Sequence, residues 1–173
     1  MSKKGMSASM SFLSKYKYNF HKIDKILCIS TFIKEAMESQ VMFKKNYHKL
    51  EIITDGILRD RCESQGKQGQ DSIVKSKHSI HAVNIANHNK AKDLETLIKA
   101  IDHAVNHLGF KDFKVHQLGY YSKLTEHLQL KIQEFKIQEH IHFYGFLDNA
   151  SGYLPSFDFF IMSSEREGGP SAV

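Results

Sequence analysis

Between His81 and Met162 the chain repeats one pattern: a short apolar run, then a longer stretch with helical spacing, then another short run. Residues 81–86 read as a strand. Leu94, Leu97, Ile98, Ile101, Val105 and Leu108 then recur at helical intervals until Gly109. Residues 113–118 form a second strand ending at Gly119. Leu124, Leu128, Leu130, Ile132 and Phe135 fall on a second helix. Residues 141–144 form a third strand ending at Gly145, and a short helical piece at 149–154 leads to a fourth, buried strand at 157–162. Connections of this length are not hairpins, so the strands must run parallel, and a parallel sheet is covered by helices. The expected fold class is therefore α/β, a parallel sheet with flanking helices.

Upstream, the first twenty-odd residues are polar, aromatic and basic, and read as loop with a short helix. Residues 23–30 read as a strand. Ser30 or Thr31 then caps a helix whose apolar face is Phe32, Ile33, Ala36, Met37 and Val41. Residues 50–54 are a further strand, closed by the turn pair Asp55-Gly56. From Leu58 to Lys77 the chain is polar and rich in Gly and Gln, which reads as a linker or long surface loop. The domain boundaries expected are thus 1–57, 58–77 and 78–173.

The net charge of +5 is spread along the chain, the pattern of a solvated basic surface. No aromatic–basic ribonucleoprotein motif, basic-region heptad or zinc-finger spacing occurs, so nucleic acid is not an expected partner. The two cysteines are Cys28, in an apolar run, and Cys62, in the polar stretch. Neither suggests a disulfide framework, and a reducing cytoplasm is expected. No apolar run approaches the length of a membrane span. The histidine pairs His103/His107, His140/His142 and His78/His81 lack a third ligand at zinc spacing; they read as solvent-facing or core-edge residues, and no metal is expected.

Ligands of open α/β sheets bind outside the carboxyl ends of the strands. Asn87 to Lys92, Gly119 to Lys123, Gly145 to Asp148 and Ser163 to Pro170 should therefore share one edge. Together they offer lysines, glycines, amides and carboxylates, a set suited to a nucleoside diphosphate. The full Gly-x-Gly-x-x-Gly fingerprint is absent, which argues against a dehydrogenase. Ser163 and Ser164 form no Gly-x-Ser-x-Gly elbow, which argues against a serine hydrolase.

The order of Lys92-Asp93, Leu94-x-x-Leu97-Ile98-x-Ala100, Leu118-Gly119, Ile141-His142-Phe143-Tyr144-Gly145-Phe146-Leu147, and Phe157 to Met162 followed by Ser164-x-x-Glu167-Gly168-Gly169-Pro170 resembles the donor-binding domain of GT-B glycosyltransferases. The likeness is to the large retaining group called glycosyl transferases group one. Residues 23–34 resemble the last strand of the acceptor domain in that family, and residues 50–57 its interdomain crossing. The resemblance implies a Rossmann-like, incomplete donor domain at 78–173 and an acceptor-domain remnant at 1–57. It implies that Glu167 is the first acid of a Glu-x7-Glu motif, the catalytic residue facing the donor sugar. Lys92 would bind the diphosphate, Gly119 would let the chain pass close to the donor, and Gly145 to Leu147 would meet the base. Ser164, Gly168 and Gly169 would line the sugar and phosphate.

The sequence departs from the family at three places. Asn87 stands where an arginine usually precedes the lysine by five positions. Asp93 replaces the usual glycine, and can still cap the helix. The second motif glutamate would fall two residues beyond Val173, so a fragment, inactive alone, is expected. The function implied is transfer of a hexose from a nucleoside-diphosphate sugar to a glycan or lipid-linked acceptor in polysaccharide or lipopolysaccharide biosynthesis, with retention and no cofactor. The location implied is cytoplasmic, with peripheral contact to the inner face of the membrane. The alternative expectation is a non-catalytic nucleotide-binding or interaction module.

Overall fold

The computed structural model describes the backbone of residues 2–3 and the whole of residues 12–54 and 78–165. The chain divides into two compact units, one within residues 1–57 and one within residues 58–165.

In the first unit, β1 (Ser2–Lys3), β2 (Ile26–Cys28) and β3 (Leu50–Ile52) form a parallel sheet in the order β1-β2-β3. Register is set by Ser2 opposite Leu27 and by Ile26 opposite Leu50. Between the strands lie α1 (Phe12–Tyr18), α2 (Thr31–Gln40) and a 3-10 segment, Lys44–Lys49. The Ser30 side chain accepts from the Ile33 amide and caps α2, satisfying one of the donors that a helix start leaves open. Ile33, Met37 and Val41 pack on Ile26, Cys28 and Leu50, as the spacing predicts. Phe32, expected on that face, is exposed instead: it is one residue off the i, i+4 stripe that Ile33 and Met37 define. Cys28 is a fully buried thiol, and burial raises its pKa.

The second unit is built on four parallel strands: β4 (Ile80–Ile85), β5 (Phe113–Leu118), β6 (Ile141–Gly145) and β7 (Phe159–Phe160). They lie in the order β6-β5-β4-β7, so the chain moves outward from β4 to β6 and then returns to the far side of β4. This reversal creates a switch point between β4 and β7. One face is covered by α3 (Leu94–Asp102), which runs on as a π turn at His103–His107, and by α4 (Thr125–Glu134). Ala82, Val115 and Ile141 meet Leu97, Ile98, Ile101, Leu128 and Ile132 there. The other face packs Val83 and Leu118 on Tyr153 of a 3-10 segment, Ala150–Ser156.

Several expectations need correction. Leu108 is exposed because the helix has ended in the π turn, and Gly109 (φ +75°) reverses the chain there. Leu124 precedes α4, and Leu130 lies on its outer side; both are exposed. The stretch 157–162 is not a buried strand. Only Phe159–Phe160 pair in the ladder, on β4 alone, so Phe159 and Met162 stay about two-fifths open, at 42% and 41% exposure. Of the histidines read as solvent-facing or core-edge, His81 is buried; His88 and His116, which that reading did not include, are buried too.

Candidate functional site

Four loops leave the carboxyl ends of the second sheet, and main-chain and side-chain hydrogen bonds stitch them together. The Gly119 amide donates to the Gly145 carbonyl at 2.8 Å, joining the ends of β5 and β6. The Tyr120 amide donates to Asn87 Oδ1 at 2.9 Å, and the His88 amide to the Tyr120 carbonyl at 3.0 Å, joining β5 to β4. Asn84 Nδ2 donates to the Ile161 carbonyl, Ser163 Oγ to the Lys92 carbonyl, and the Glu165 amide to the Ala91 carbonyl. These bonds tie the strand-end loop of β7 to that of β4 across the switch point. The structure thus brings Asn87, Lys92, Gly119 and Gly145 to one edge, with Ser164 beside Ser163. Glu167, Gly168 and Gly169 lie outside the described residues, as do the linker 58–77 and the Asp55-Gly56 turn.

Lys92 sits on a short 3-10 turn, Lys90–Lys92, where the Asn89 side chain accepts from the Lys92 amide. Asp93 follows with φ 44° and ψ 51°, the left-handed region that glycine fills most easily and Asp and Asn tolerate. Its carboxylate accepts from the Thr96 amide and caps α3, as expected. One residue thus both reverses the chain after Lys92 and starts the helix.

Gly119 has a steric reason to be glycine. A Cβ there would lie 2.1 Å from the Ala86 carbonyl oxygen and 2.9 Å from the Asn87 nitrogen. The loops after β4 and β5 therefore touch backbone to backbone at this point. Gly145 turns with φ +73°. Beyond it, Leu147 sends its side chain into the core around Tyr153, leaving its backbone at the edge. Tyr120 and Phe146, both more than half exposed, stack with ring centroids 4.2 Å apart and planes 10° apart. They form an aromatic plate at the ends of β5 and β6.

Beneath this edge lies a polar cluster that the sequence reading missed. Gln117 Nε2 donates to the carbonyls of Ala86 and Leu118, so its Oε1 is left to accept from His88 Nε2 at 2.7 Å. His88 Nδ1 then accepts from the Thr125 hydroxyl at 2.8 Å, while Thr125 Oγ1 takes the Ser122 amide at 3.0 Å. The Ser122 hydroxyl donates to the His88 carbonyl. Burial lowers the His88 pKa, with the Gln117 bond working the other way. The ring is therefore neutral, its proton on Nε2. One signal was available in sequence: Gln117 shares the inward alternation of Phe113 and Val115, and a glutamine in that register needs partners.

Among the described residues no cluster of His, Cys, Asp and Glu is arranged to hold a metal, and no helix is long and apolar enough to cross a membrane.

The sequence profile for glycosyl transferases group 1 matches residues 79–173. Among solved structures, the chain is similar to a point mutant of S. aureus TarM in complex with Fondaparinux, alpha-GlcNAc-glycerol and UDP, at 14% identity and a TM-score of 0.74 over 99% of this chain and 33% of that one. It is similar to a glycosyltransferase from Rickettsia africae, at 17% identity and a TM-score of 0.70 over 94% of this chain and 44% of that one. It is also similar to WaaG, a glycosyltransferase involved in lipopolysaccharide biosynthesis, at 13% identity and a TM-score of 0.68, covering 87% and 41%. The shared feature is the Rossmann-like α/β fold. The chain spans less than half the length of each of these structures. No curated protein matches it.

Proposed function

The chain belongs to the glycosyl transferases group 1, and from that premise we propose that it carries the donor-binding part of a GT-B enzyme. The donor is a nucleoside-diphosphate sugar. In the reaction the bond from the anomeric carbon to the diphosphate oxygen breaks, the acceptor hydroxyl oxygen bonds that carbon, and the hydroxyl proton passes to the departing diphosphate. We extend the reading to a hexose, to retention at the anomeric carbon, to a reaction without a metal, and to a glycan or lipid-linked acceptor in polysaccharide or lipopolysaccharide biosynthesis.

The observation that carries this reading is the stitched carboxyl edge at the β4/β7 switch point, with Lys92 on one side and the close approach at Gly119 on the other. The Lys92 ammonium would neutralise the diphosphate, and backbone at Gly145 to Leu147 would meet the base beside the Tyr120–Phe146 plate. Glu167, Gly168 and Gly169 would face the sugar, the carboxylate answering the positive charge that develops at the anomeric carbon. Asn87 replaces a cation with a neutral amide, and its Oδ1 is already held by the Tyr120 amide. Phosphate neutralisation therefore rests more heavily on Lys92.

A cytoplasmic enzyme resting on the membrane surface also fits the first unit. There α1 exposes Phe12, Leu13 and Tyr16 beside Lys15 and Lys17, apolar and basic groups that an anionic lipid surface would take up together.

Titration with UDP followed by calorimetry tests the donor site. Lys92→Ala should weaken binding by about 10–100-fold, the loss of one charge-assisted hydrogen bond. Glu167→Ala should weaken binding of a UDP-sugar more than binding of UDP. Absence of binding of any nucleoside diphosphate by the unaltered chain, with GDP and ADP titrated beside UDP, would sink the reading in favour of a non-catalytic interaction module.

A further inference from the structure

Resting on the donor-site reading, we propose that His88 is a positioning residue for nucleotide binding: a buried pin that fixes the separation of the strand-end loops of β4 and β5. Its main chain and its ring each reach across that gap. The amide donates to the Tyr120 carbonyl, and the carbonyl accepts from Ser122. The ring bonds Gln117 at the end of β5 and Thr125 in the first turn of α4. It also packs against Tyr121 at a centroid distance of 5.2 Å, and edge-on against Phe143 at 4.8 Å. At 1% exposure the side chain reaches no ligand. Its flanking residues Asn87 and Asn89 do stand at the edge, and Asn89 caps the turn that presents Lys92.

The cluster runs in one direction. Two carbonyls fix the Gln117 amide, so Gln117 presents only its oxygen to the ring. That dictates Nε2–H on His88 and leaves Nδ1 to receive the Thr125 proton. A ring with the other tautomer would confront an acceptor with a lone pair at 2.7 Å. An apolar residue of similar size would fill the space and leave the Gln117 carbonyl oxygen and the Thr125 hydroxyl proton without the bonds His88 gives them. The cluster therefore holds the loops at one spacing where simple packing would allow several.

Two measurements test this, and only one depends on a nucleotide. In the unaltered chain a long-range ¹H–¹⁵N spectrum at neutral pH should show His88 as the Nε2–H tautomer; the Nδ1–H form overturns the proposal. UDP titration should then show affinity falling about tenfold in His88→Leu. His88→Gln, whose amide supplies an NH₂ donor group and a carbonyl acceptor, should recover most of it. Circular dichroism melts identify the folded fraction of each variant. A folded His88→Leu protein with lowered Tm but unaltered UDP affinity gives His88 a structural role alone and overturns the proposal. If His88→Leu does not fold, the decision rests on His88→Gln with Gln117→Leu added, which removes the bond the glutamine is meant to restore; undiminished affinity there overturns the proposal equally. If the unaltered chain prefers GDP or ADP, the same comparison is made with that nucleotide; if it binds none of the three, the donor-site reading fails and this inference fails with it. Binding that survives every variant removes this inference alone.

Discussion

On one face of the second sheet, Ala82, Val115 and Ile141 meet aliphatic side chains of α3 and α4. On the other face, polar groups link strand to strand: His81 Nδ1 lies 2.8 Å from His116 Nε2, and His116 Nδ1 lies 3.0 Å from the Tyr144 hydroxyl. The His81 amide also donates at 2.6 Å to Oδ2 of Asp158, the residue before β7. Aliphatic packing has no direction; it needs only volume and burial, and tolerates volume-conserving exchange. The histidine side is directional, because each nitrogen must meet a group of the opposite kind. The same strands therefore combine apolar contacts that stabilise by area, strongest against the helices, with polar chains that specify by pairing, the histidines on one face and Gln117 with His88 and Thr125 at the end of the other.

The largest expected effect tests the aliphatic face. Ile98 is fully buried between α3 and the sheet. Ile98→Ala should lower unfolding stability by about 2–5 kcal/mol in urea denaturation, through lost transfer energy and a cavity. A loss well under 1 kcal/mol would mean that this face is not the main source of stability.

The next effect tests the directional face. His116→Phe keeps an aromatic ring beside Tyr144 and Phe157 while removing both ring nitrogens. The expected loss is about 1–3 kcal/mol. A neutral or stabilising result would break the comparison, since the face would then depend on packing alone.

The smallest effect separates the faces by pH. Burial, followed by the nearby charges of Lys114, His140 and His81, lowers the His142 pKa from 6.5. A depressed histidine stays neutral in the folded chain while the unfolded chain takes up protons, so stability is full above pH 6.5 and declines as pH falls below it. On the outer side of the helical face, Glu95 bonds Lys99 at 3.0 Å, and His127 and Lys131 lie 3.4 and 3.5 Å away. The Lys99 bond first, then the His127 bond, hold its pKa down at about 2. Its contribution is full above pH 4.5 and is lost as pH falls toward 2. Because this cluster is open to solvent on one side, screening keeps that contribution under about 1 kcal/mol. Stability followed against pH should decline in these two separate windows, and His142→Phe should shrink the upper one, leaving the part that buried His88 contributes, without moving the lower one. A single decline below pH 4.5 would remove the titrating histidine from the directional face.

These contrasts also explain what the sequence makes legible. β5 is readable end to end at Phe113–Leu118, and the inward residues of α3 and α4 follow from spacing, because burial of apolar area leaves a periodic trace. The co-location of Asn87, Lys92, Gly119 and Gly145 follows from parallel topology alone. His81, His88 and His116 leave no such trace. A histidine in a strand reads as exposed until its partners are known, and those partners, His116, Gln117 and Thr125, are 35, 29 and 37 positions away. The apolar run at 157–162 misleads for a related reason: composition marks a strand, whereas burial depends on how many neighbours the strand has.

The sheet order has a consequence for synthesis. β4 is made first among its four strands, yet it lies inside the sheet, between β5 and β7. β5 reaches it early. Its other edge waits for β7, roughly 70 residues of translation later, or about 4–15 s at ~5–20 residues per second. During that interval Ala82 and Val83 present open main-chain groups on an apolar strand, the partners that Phe159 and Phe160 will eventually occupy. Nascent chains arrested before residue 159 should therefore depend on a chaperone, and chains released beyond it should not.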